Sequence, residues 1–243
     1  MILLRWLHTA YAFVIFIVLF LFFFPLFLIP IYFPSQFKLV GVLNRWWAWL
    51  FFPLIGMPWH VEYRQKLDPK KNYIFCPNHF SYLDIAIMGL NRHNTIFVGK
   101  SAMEKIPLFG FMYRSLHITV DREKLSSRYS TFTRSLAALD QGKSLVIFPE
   151  GGMVTHRPPH LGRFKDGAFR SAIEKQIQIV PVTIPFNWII LPDEKYMLLH
   201  WKPLKLIFHE PVDPSAYSLK EVDVLKEKVH SIIDTELKKH FTT

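Results

Sequence analysis

Cysteine is nearly absent from this sequence of 243 residues, since Cys76 is the only one. An internal disulfide is therefore excluded, and the scarcity of thiols is consistent with a reducing compartment. The motif G-x-S-x-G, which marks the nucleophilic serine of many esterases, does not occur either. Basic residues are dispersed without a run of five, and no zinc-finger spacing is present. We therefore expect no nucleic-acid partner and no bound metal.

Acidic residues are missing from the first sixty positions, whose charged side chains are Arg5, Lys38 and Arg45. Two uncharged stretches occur there, 24 residues at 10–33 and 14 residues at 46–59. A spanning helix needs about 20 apolar residues. Since Pro25 and Pro30 interrupt the first stretch, we expect residues 1–59 to form a membrane-embedded helical hairpin that dips into one leaflet. A single span and a secretory signal peptide are the alternatives.

After this region, short β-rich runs alternate with helical ones. Strands are expected at 73–76, 95–99, 116–120, 144–148, 177–184, 196–201 and 204–210. Helices are expected at 81–90, 126–140, 165–175 and 218–240. Strands separated by helices predict one α/β domain, residues 60–243, with a mixed, largely parallel sheet flanked by helices. The last two strands follow each other closely, so we expect the mixed part of the sheet at that end.

The stretch NYIFCPNHFSYLD, at positions 72–84, places a histidine and an aspartate around a predicted strand-to-helix junction. His79 follows the strand, where open α/β sheets bind their ligands. Asp84 can then fold back onto one imidazole nitrogen and leave the other free to accept a proton. Equally, Ser81 and Asp84 have the spacing of a helix cap, in which the carboxylate binds backbone amides. These residues alone leave both interpretations open.

Four blocks of sequence follow one another in a specific order. They are NHFSYLD, GKSAMEKIPLFGFMYRSLHITVDR, VIFPEGG and IVPVTI, within roughly residues 60–210. Together they resemble the glycerolipid acyltransferase family, and within it the bacterial 1-acylglycerol-3-phosphate O-acyltransferases. The resemblance implies the glycerolipid acyltransferase fold, with His79 as the general base and Asp84 as the residue that orients it.

The resemblance also implies which residues bind substrate. It places Lys100 and Arg122 near the phosphate of the acceptor, and cationic side chains are suitable partners for phosphate. Glu150, Gly151 and Gly152 would hold the polar part of the acceptor, because glycines let a backbone approach a ligand closely. Taken singly, each cation is also consistent with a solvated surface charge.

The third block departs from the family pattern. The family has E-G-T-R where this chain has E-G-G-M at 150–153, so the arginine that binds phosphate in the family is missing. Arg157, Arg163 or Lys165 could substitute for it, since the loop that carries them follows directly. The departure leaves the acceptor open, and another lysophospholipid or a lyso-aminolipid is the alternative to 1-acylglycerol-3-phosphate.

The implied reaction moves a fatty acyl group from an acyl thioester to the free hydroxyl of a lysophospholipid, giving phosphatidic acid from 1-acylglycerol-3-phosphate. The thioester of acyl carrier protein or coenzyme A is the co-substrate, and no further cofactor is expected. Basic residues flank the apolar segments, which favours the cytoplasmic face of the inner (plasma) membrane. A non-catalytic lipid-binding protein, with His79 and Asp84 in structural roles, is the alternative from another class.

Overall fold

Two apolar helices open the chain in the computed structural model, which describes residues 2–121, 123–154 and 158–241. They are α1 at Ile2–Tyr32 and α2 at Leu39–Leu54, joined by a 3₁₀ turn at Pro34–Gln36. The two helices pack against each other as a hairpin. By length and composition, α1 is a candidate membrane segment. The predicted helical hairpin is therefore confirmed as an element of the fold.

The helix α1 continues through Pro25 and Pro30, so the prediction that these prolines interrupt it is wrong. Each proline removes one backbone hydrogen bond from the helix. The neighbouring rings of Phe23 and Phe27 are buried in a cluster with Leu43 of α2. Because tertiary packing supplies most of the stability of a helix in a protein, this burial outweighs the local cost of the prolines.

The described residues form one sheet of seven strands. The strands are β1 Trp59–Tyr63, β2 Ile74–Pro77, β3 Thr95–Lys100, β4 Ile118–Val120, β5 Ser144–Ile147, β6 Ile179–Thr183 and β7 Leu204–Phe208. Their order across the sheet is β1-β7-β6-β2-β5-β3-β4. The five strands β6-β2-β5-β3-β4 are all parallel to one another. The strand β7 is antiparallel to β6, and β1 is parallel to β7. The predicted mixed, largely parallel sheet is confirmed.

Helices cover both faces of this sheet. They are α3 Leu83–Met88, α4 Phe109–Leu116, α5 Leu125–Asp140, α6 Gly167–Lys175, α7 Asn187–Ile190 and α8 Val222–Lys239. One face packs against α2 and α3 through side chains such as Phe52 and Ile87, and α1 lies over α2. The other face packs against α5, α6 and α8 through Leu139, Phe169 and Val229. The hairpin therefore occupies a single side of the molecule.

Residues 196–201 form no strand, so this prediction is wrong. The segment makes backbone hydrogen bonds to the N-terminal part of α1 and to α7 instead of to the sheet. Arg5 donates to the carbonyl oxygens of Leu198 and Leu199 at 3.2 and 3.4 Å, and the Leu199 amide donates to Thr9 Oγ1 at 2.9 Å. As a result the antiparallel neighbours at this end are β6 and β7, and the sheet edge is β1, which the sequence did not suggest.

Candidate active site

The position of His79 follows from the order of the strands. The strand β2 lies between β5 and β6, and all three are parallel. Because parallel strands end at the same edge of a sheet, the loops that follow β2, β5 and β6 meet there. His79, Glu150 and Asn187 lie on these three segments. The fold thus gathers residues that are far apart in the sequence.

The His79 ring is held on one side by Asp84. Its Nδ1 lies 2.9 Å from Asp84 Oδ2, and Asp84 is fully buried. The ring also stacks on Phe148, with a centroid distance of 4.0 Å. Among the described residues, no side chain or backbone group makes a hydrogen bond to His79 Nε2. The ring is therefore oriented with one nitrogen available to an incoming hydroxyl, as a general base requires.

The carboxylate of Asp84 accepts hydrogen bonds from the backbone as well as from the His79 ring. The amides of Phe80 and Ser81 each donate to Oδ2 at 3.0 Å. On the other oxygen, Asn187 Nδ2 donates to Oδ1 at 2.7 Å. The helix-cap interpretation and the orienting interpretation of Asp84 thus describe the same carboxylate. The cap fixes the turn, and the turn places His79 over Asp84.

Glu150 ties the loop after β5 to the histidine loop. Its Oε1 accepts the His79 amide at 2.7 Å, and its Oε2 accepts the Gly162 amide at 2.9 Å. The Val154 amide donates back to the His79 carbonyl at 3.0 Å. Burial raises the pKa of Glu150 to about 7, although these two amide donors oppose the shift. Residues 151–153 are consequently fixed beside His79 at both ends of their loop.

We expect the buried Glu150 to make the free energy of unfolding fall as pH rises from about 4.5 to about 7. In that window the folded protein keeps the Glu150 proton that the unfolded chain has lost, so raising the pH favours unfolding. The contribution is about 3 kcal/mol over the whole window. Glu150→Gln cannot titrate, so the wild-type advantage over this variant should shrink by about that amount between about pH 5 and about pH 7.5.

Denaturant titration of the detergent-solubilised protein at the two pH values measures this difference. Groups other than Glu150 titrate in both proteins and cancel in the comparison. An unfolding difference that stays constant across the window would show that the Glu150 carboxyl keeps its ordinary pKa.

Comparisons with known proteins identify the family of this chain. Residues 59–185 match the family model described as Acyltransferase. A 1-acyl-sn-glycerol-3-phosphate acyltransferase of Haemophilus influenzae is 30% identical over 205 residues, covering 82% of this chain and 81% of that protein. A 1-acyl-sn-glycerol-3-phosphate acyltransferase of Chlamydomonas reinhardtii is 25% identical over 70% of this chain and 51% of its own length.

A solved structure shows the same fold. The crystal structure of the 1-acyl-sn-glycerophosphate acyltransferase PlsC from Thermotoga maritima matches with a TM-score of 0.83 at 21% identity, covering 98% of this chain and 96% of that chain. The chain belongs to the acyltransferase family. The resemblance inferred from the four sequence blocks and the predicted enzyme class are both confirmed, and the non-catalytic alternative is no longer supported.

The cations predicted to bind substrate in this acyltransferase lie in different places. Lys165 lies over residues 151–153, here called the glycine loop, because a Cβ atom at Gly151 would meet Lys165 Cγ at 3.1 Å. Lys100 is exposed at the carboxyl end of β3, and no hydrogen bond joins it to the described residues around His79. Arg122 and Arg157 lie outside the described residues. The substrate roles of all four stay predictions.

The glycine loop of the acyltransferase has a backbone conformation that suits glycine. Gly151 has a positive φ of 74°, a conformation that favours glycine, and its amide donates to the Phe148 carbonyl at 3.1 Å. The Gly152 amide makes no hydrogen bond within the described part of the chain. Met153 follows it, half-buried, where the family has arginine. A free amide in a loop fixed beside His79 is a candidate donor to a substrate oxygen.

Two residues of the site were not predicted from the sequence. Asn187 is fully buried and binds Asp84, and Phe148 supplies the surface on which the His79 ring stacks. One signal could have found Asn187, since it closely follows the strand of the fourth block and neighbouring parallel strands end together. Cys76 lies three residues before His79 but is fully buried, and burial raises the pKa of its thiol. It is therefore a core residue without a role in the reaction.

Proposed function

We propose that the protein transfers a fatty acyl group from an acyl thioester to the free hydroxyl of 1-acylglycerol-3-phosphate, giving phosphatidic acid. The observation that carries the proposal is the His79 ring, held by the buried Asp84 at Nδ1 and unpaired at Nε2 among the described residues. This arrangement suits removal of a hydroxyl proton. The name of the Haemophilus relative supports the choice of acceptor.

The reaction needs one base and no covalent enzyme intermediate. His79 Nε2 takes the proton of the acceptor hydroxyl while its oxygen forms a bond to the acyl carbon. The tetrahedral intermediate then expels the thiolate as the C–S bond breaks, and the imidazolium returns the proton to the sulfur. Asp84 stabilises the imidazolium between these two steps. The Gly152 amide would donate to the oxyanion in the intermediate.

The presence of methionine at position 153, where the family has arginine, favours a second candidate, a different lysophospholipid or lyso-aminolipid acceptor. An acyl-transfer assay with detergent-purified protein separates the two. The protein is given palmitoyl-coenzyme A or palmitoyl-acyl carrier protein and a panel of lysolipids headed by 1-acylglycerol-3-phosphate. Turnover that is fastest on this acceptor supports the proposal, whereas turnover confined to an acceptor without a terminal phosphate shows that Met153 marks a changed specificity.

The hairpin places the enzyme at the source of its acceptor. Large apolar side chains of α1, such as Leu4, Phe13 and Phe22, are 64–69% exposed on the face turned away from the domain. Exposed apolar area of this extent is expected to meet lipid. Moving a lysolipid into water would expose its chain at a cost of about 0.8 kcal/mol per CH₂. An enzyme seated in the leaflet can take up the lysolipid without that cost.

Contacts along α1 favour the one-leaflet arrangement over a span. Near its N-terminus Arg5 bonds to the loop before β7, and further along Phe20 packs on Phe109 of α4 at 5.8 Å. The following turn stays with the domain too, since Asn94 Nδ2 donates to the Phe37 carbonyl at 3.2 Å. A helix bound to the α/β domain at both ends cannot cross a bilayer unless that polar domain enters the hydrocarbon. We therefore place α1 flat in the cytoplasmic leaflet.

Labelling of single cysteines tests this placement. Cys76 is fully buried, so single cysteines can be introduced at Leu3, in the first turn of α1, and at Ser35, in the 3₁₀ turn that follows α1. Both positions are exposed on the protein surface. In inside-out membrane vesicles, a membrane-impermeant maleimide should label Ser35→Cys, as it labels a Ser130→Cys control on the α/β domain, whereas lipid shields Leu3→Cys. In right-side-out vesicles it should label none of the three. Labelling of Leu3→Cys and Ser35→Cys from opposite sides would show that α1 spans the bilayer.

A further inference from the structure

A large cavity lies beside the His79 site, on the face of the sheet opposite the hairpin. Its volume is about 710 Å³, between α5 and α6, within the range of about 300–1,000 Å³ that is typical of small-molecule sites. Its floor includes Val98 and Ile147, which pack against the hydrophobic cluster between the sheet and the helices α5, α6 and α8. It also reaches Phe148, on which the His79 ring stacks. The cavity therefore approaches the histidine through Phe148, although His79 itself does not line it.

Positive charge surrounds this cavity. Among the described residues that line it, Asp166 is the only acid, and four are cationic, namely Arg128, Arg163, Lys165 and Lys226. Lys226 binds the Asp166 carboxylate at 2.8 Å, which neutralises one of the four. The guanidinium groups of Arg128 and Arg163 make no hydrogen bond or ion pair within the described part of the chain. Two unpaired guanidinium groups that line one cavity are suited to a phosphate, because each can bind it with paired hydrogen bonds.

Hydroxyl groups add hydrogen-bonding capacity to the cavity wall. Thr131, Ser135 and Ser171 each donate to a backbone carbonyl, at 3.2, 2.8 and 2.9 Å. Because a hydroxyl oxygen also has two lone pairs, all three can still accept from an amide N–H of a ligand. The lining thus matches a ligand with a phosphate at one end, amide groups, and an apolar portion that reaches Phe148.

The two substrates of the proposed reaction differ in how well they match this lining. The lysolipid acceptor lives in the leaflet, and only its headgroup could reach this cavity, whose lining includes Gly151 and Lys165. The acyl donor arrives from water, and its phosphopantetheine arm carries a phosphate, two amides and the thioester in that order. On the basis of the proposed function, we propose that the cavity binds this arm, shared by coenzyme A and acyl carrier protein, with Arg128 and Arg163 holding its phosphate.

Steady-state kinetics of the full chain in detergent micelles test the proposal with the double variant Arg128→Gln/Arg163→Gln. A lost charge-assisted hydrogen bond costs about 1.5–3 kcal/mol, so we expect the donor KM to rise about 10- to 100-fold. The rise should appear with both palmitoyl-coenzyme A and palmitoyl-acyl carrier protein, and the KM for the lysolipid acceptor should stay within about twofold. The matched control is Arg134→Gln/Arg170→Gln, which removes one exposed arginine from α5 and one from α6, neither of which lines the cavity.

The possible outcomes distinguish the shared arm of the donor from other ligands of the cavity. A raised acceptor KM with an unchanged donor KM would show that the cavity holds the phosphate of the lysolipid, and this overturns the proposal. A donor KM that rises with coenzyme A alone would show that the arginines bind its nucleotide. A donor KM that rises with the carrier protein alone would show that they bind the acidic surface of that protein. Either result overturns the proposal that they bind the shared arm. An unchanged donor KM with both donors overturns it as well.

Direct binding separates this proposal from the proposed function. Calorimetry measures the Kd of free coenzyme A and of holo-acyl carrier protein for the wild-type protein and for both double variants. If wild-type protein transfers no acyl group but binds both carriers through Arg128 and Arg163, the cavity assignment holds and the proposed function fails. If it transfers acyl groups but the Kd of both carriers is unchanged in Arg128→Gln/Arg163→Gln, the cavity assignment fails and the proposed function stands.

Discussion

Replacing His79 with alanine should reduce the rate of acyl transfer by at least about 10²- to 10⁴-fold, the usual contribution of a general base. The hydroxyl of a lysolipid is a weak nucleophile until its proton is removed, and Nε2 of His79 is the nitrogen that the Asp84 contact leaves free for this task. Because the base acts in the chemical step, we expect kcat to fall while the KM of both substrates changes little. Single-turnover transfer from labelled palmitoyl-coenzyme A measures the loss directly.

The fold should survive this substitution. The His79 side chain is 12% exposed, and after its removal Asp84 still accepts hydrogen bonds from Phe80, Ser81 and Asn187. We therefore expect a loss of about 1–2 kcal/mol in the free energy of unfolding, with unchanged association with lipid vesicles. The matched control is His60→Ala, which removes an exposed histidine on the edge strand β1 and should leave turnover intact. Substantial turnover by folded His79→Ala protein would refute the role of His79 as the base.

The sequence predicted those parts of the fold whose signals are local. Runs such as SLVIF alternate with helical segments, and β2 to β6 and the helix α5 lie close to where these patterns place them. The segment YMLLHW at 196–201 has an equally good strand pattern but no strand structure. Several of its backbone hydrogen bonds instead go to Arg5 and Thr9, nearly two hundred residues earlier. A pattern confined to a few residues cannot show such a distant competitor.

The site was predictable where one loop carries it and less so where several loops meet. His79 and Asp84 are five residues apart, and their contact follows from a turn ahead of a helix. Both carboxylate oxygens of Glu150 accept backbone amides, and its expected contact with the substrate stays a prediction. Its part in holding the histidine loop depends on β5 lying beside β2, and strand order is set by the packing of the whole sheet.

The second large effect is expected at Asp84, where the two functions of the carboxylate can be separated. Asp84→Ala leaves four donors without an acceptor, the His79 ring, the amides of Phe80 and Ser81, and Asn187 Nδ2. Each unpaired buried donor costs about 1–3 kcal/mol, so we expect a loss of several kcal/mol in the free energy of unfolding. Turnover should fall as far as in His79→Ala, but part of that loss would be structural.

Asp84→Asn keeps the shape of the side chain and removes its charge. The amide oxygen can stay toward His79, and the amide nitrogen then faces Asn187 Nδ2, so two donors meet at one contact. We expect a loss of about 1–3 kcal/mol in stability. A neutral amide stabilises the imidazolium poorly, so turnover should still fall by about 10²- to 10⁴-fold.

The double variant Asp84→Asn/Asn187→Asp separates the charge from the hydrogen bonds. It moves the carboxylate away from His79, and the side-chain amide introduced at position 84 now donates to the carboxylate introduced at position 187. That carboxylate can also still accept the Trp188 amide, which in the wild-type protein donates to Asn187 Oδ1 at 3.0 Å. Stability should return to within about 1 kcal/mol of the wild-type value, while turnover stays low because no charge touches the imidazole. Recovery of stability and turnover together would mean that Asp84 acts through the fold alone, since the charge would then be dispensable beside a histidine that is correctly placed.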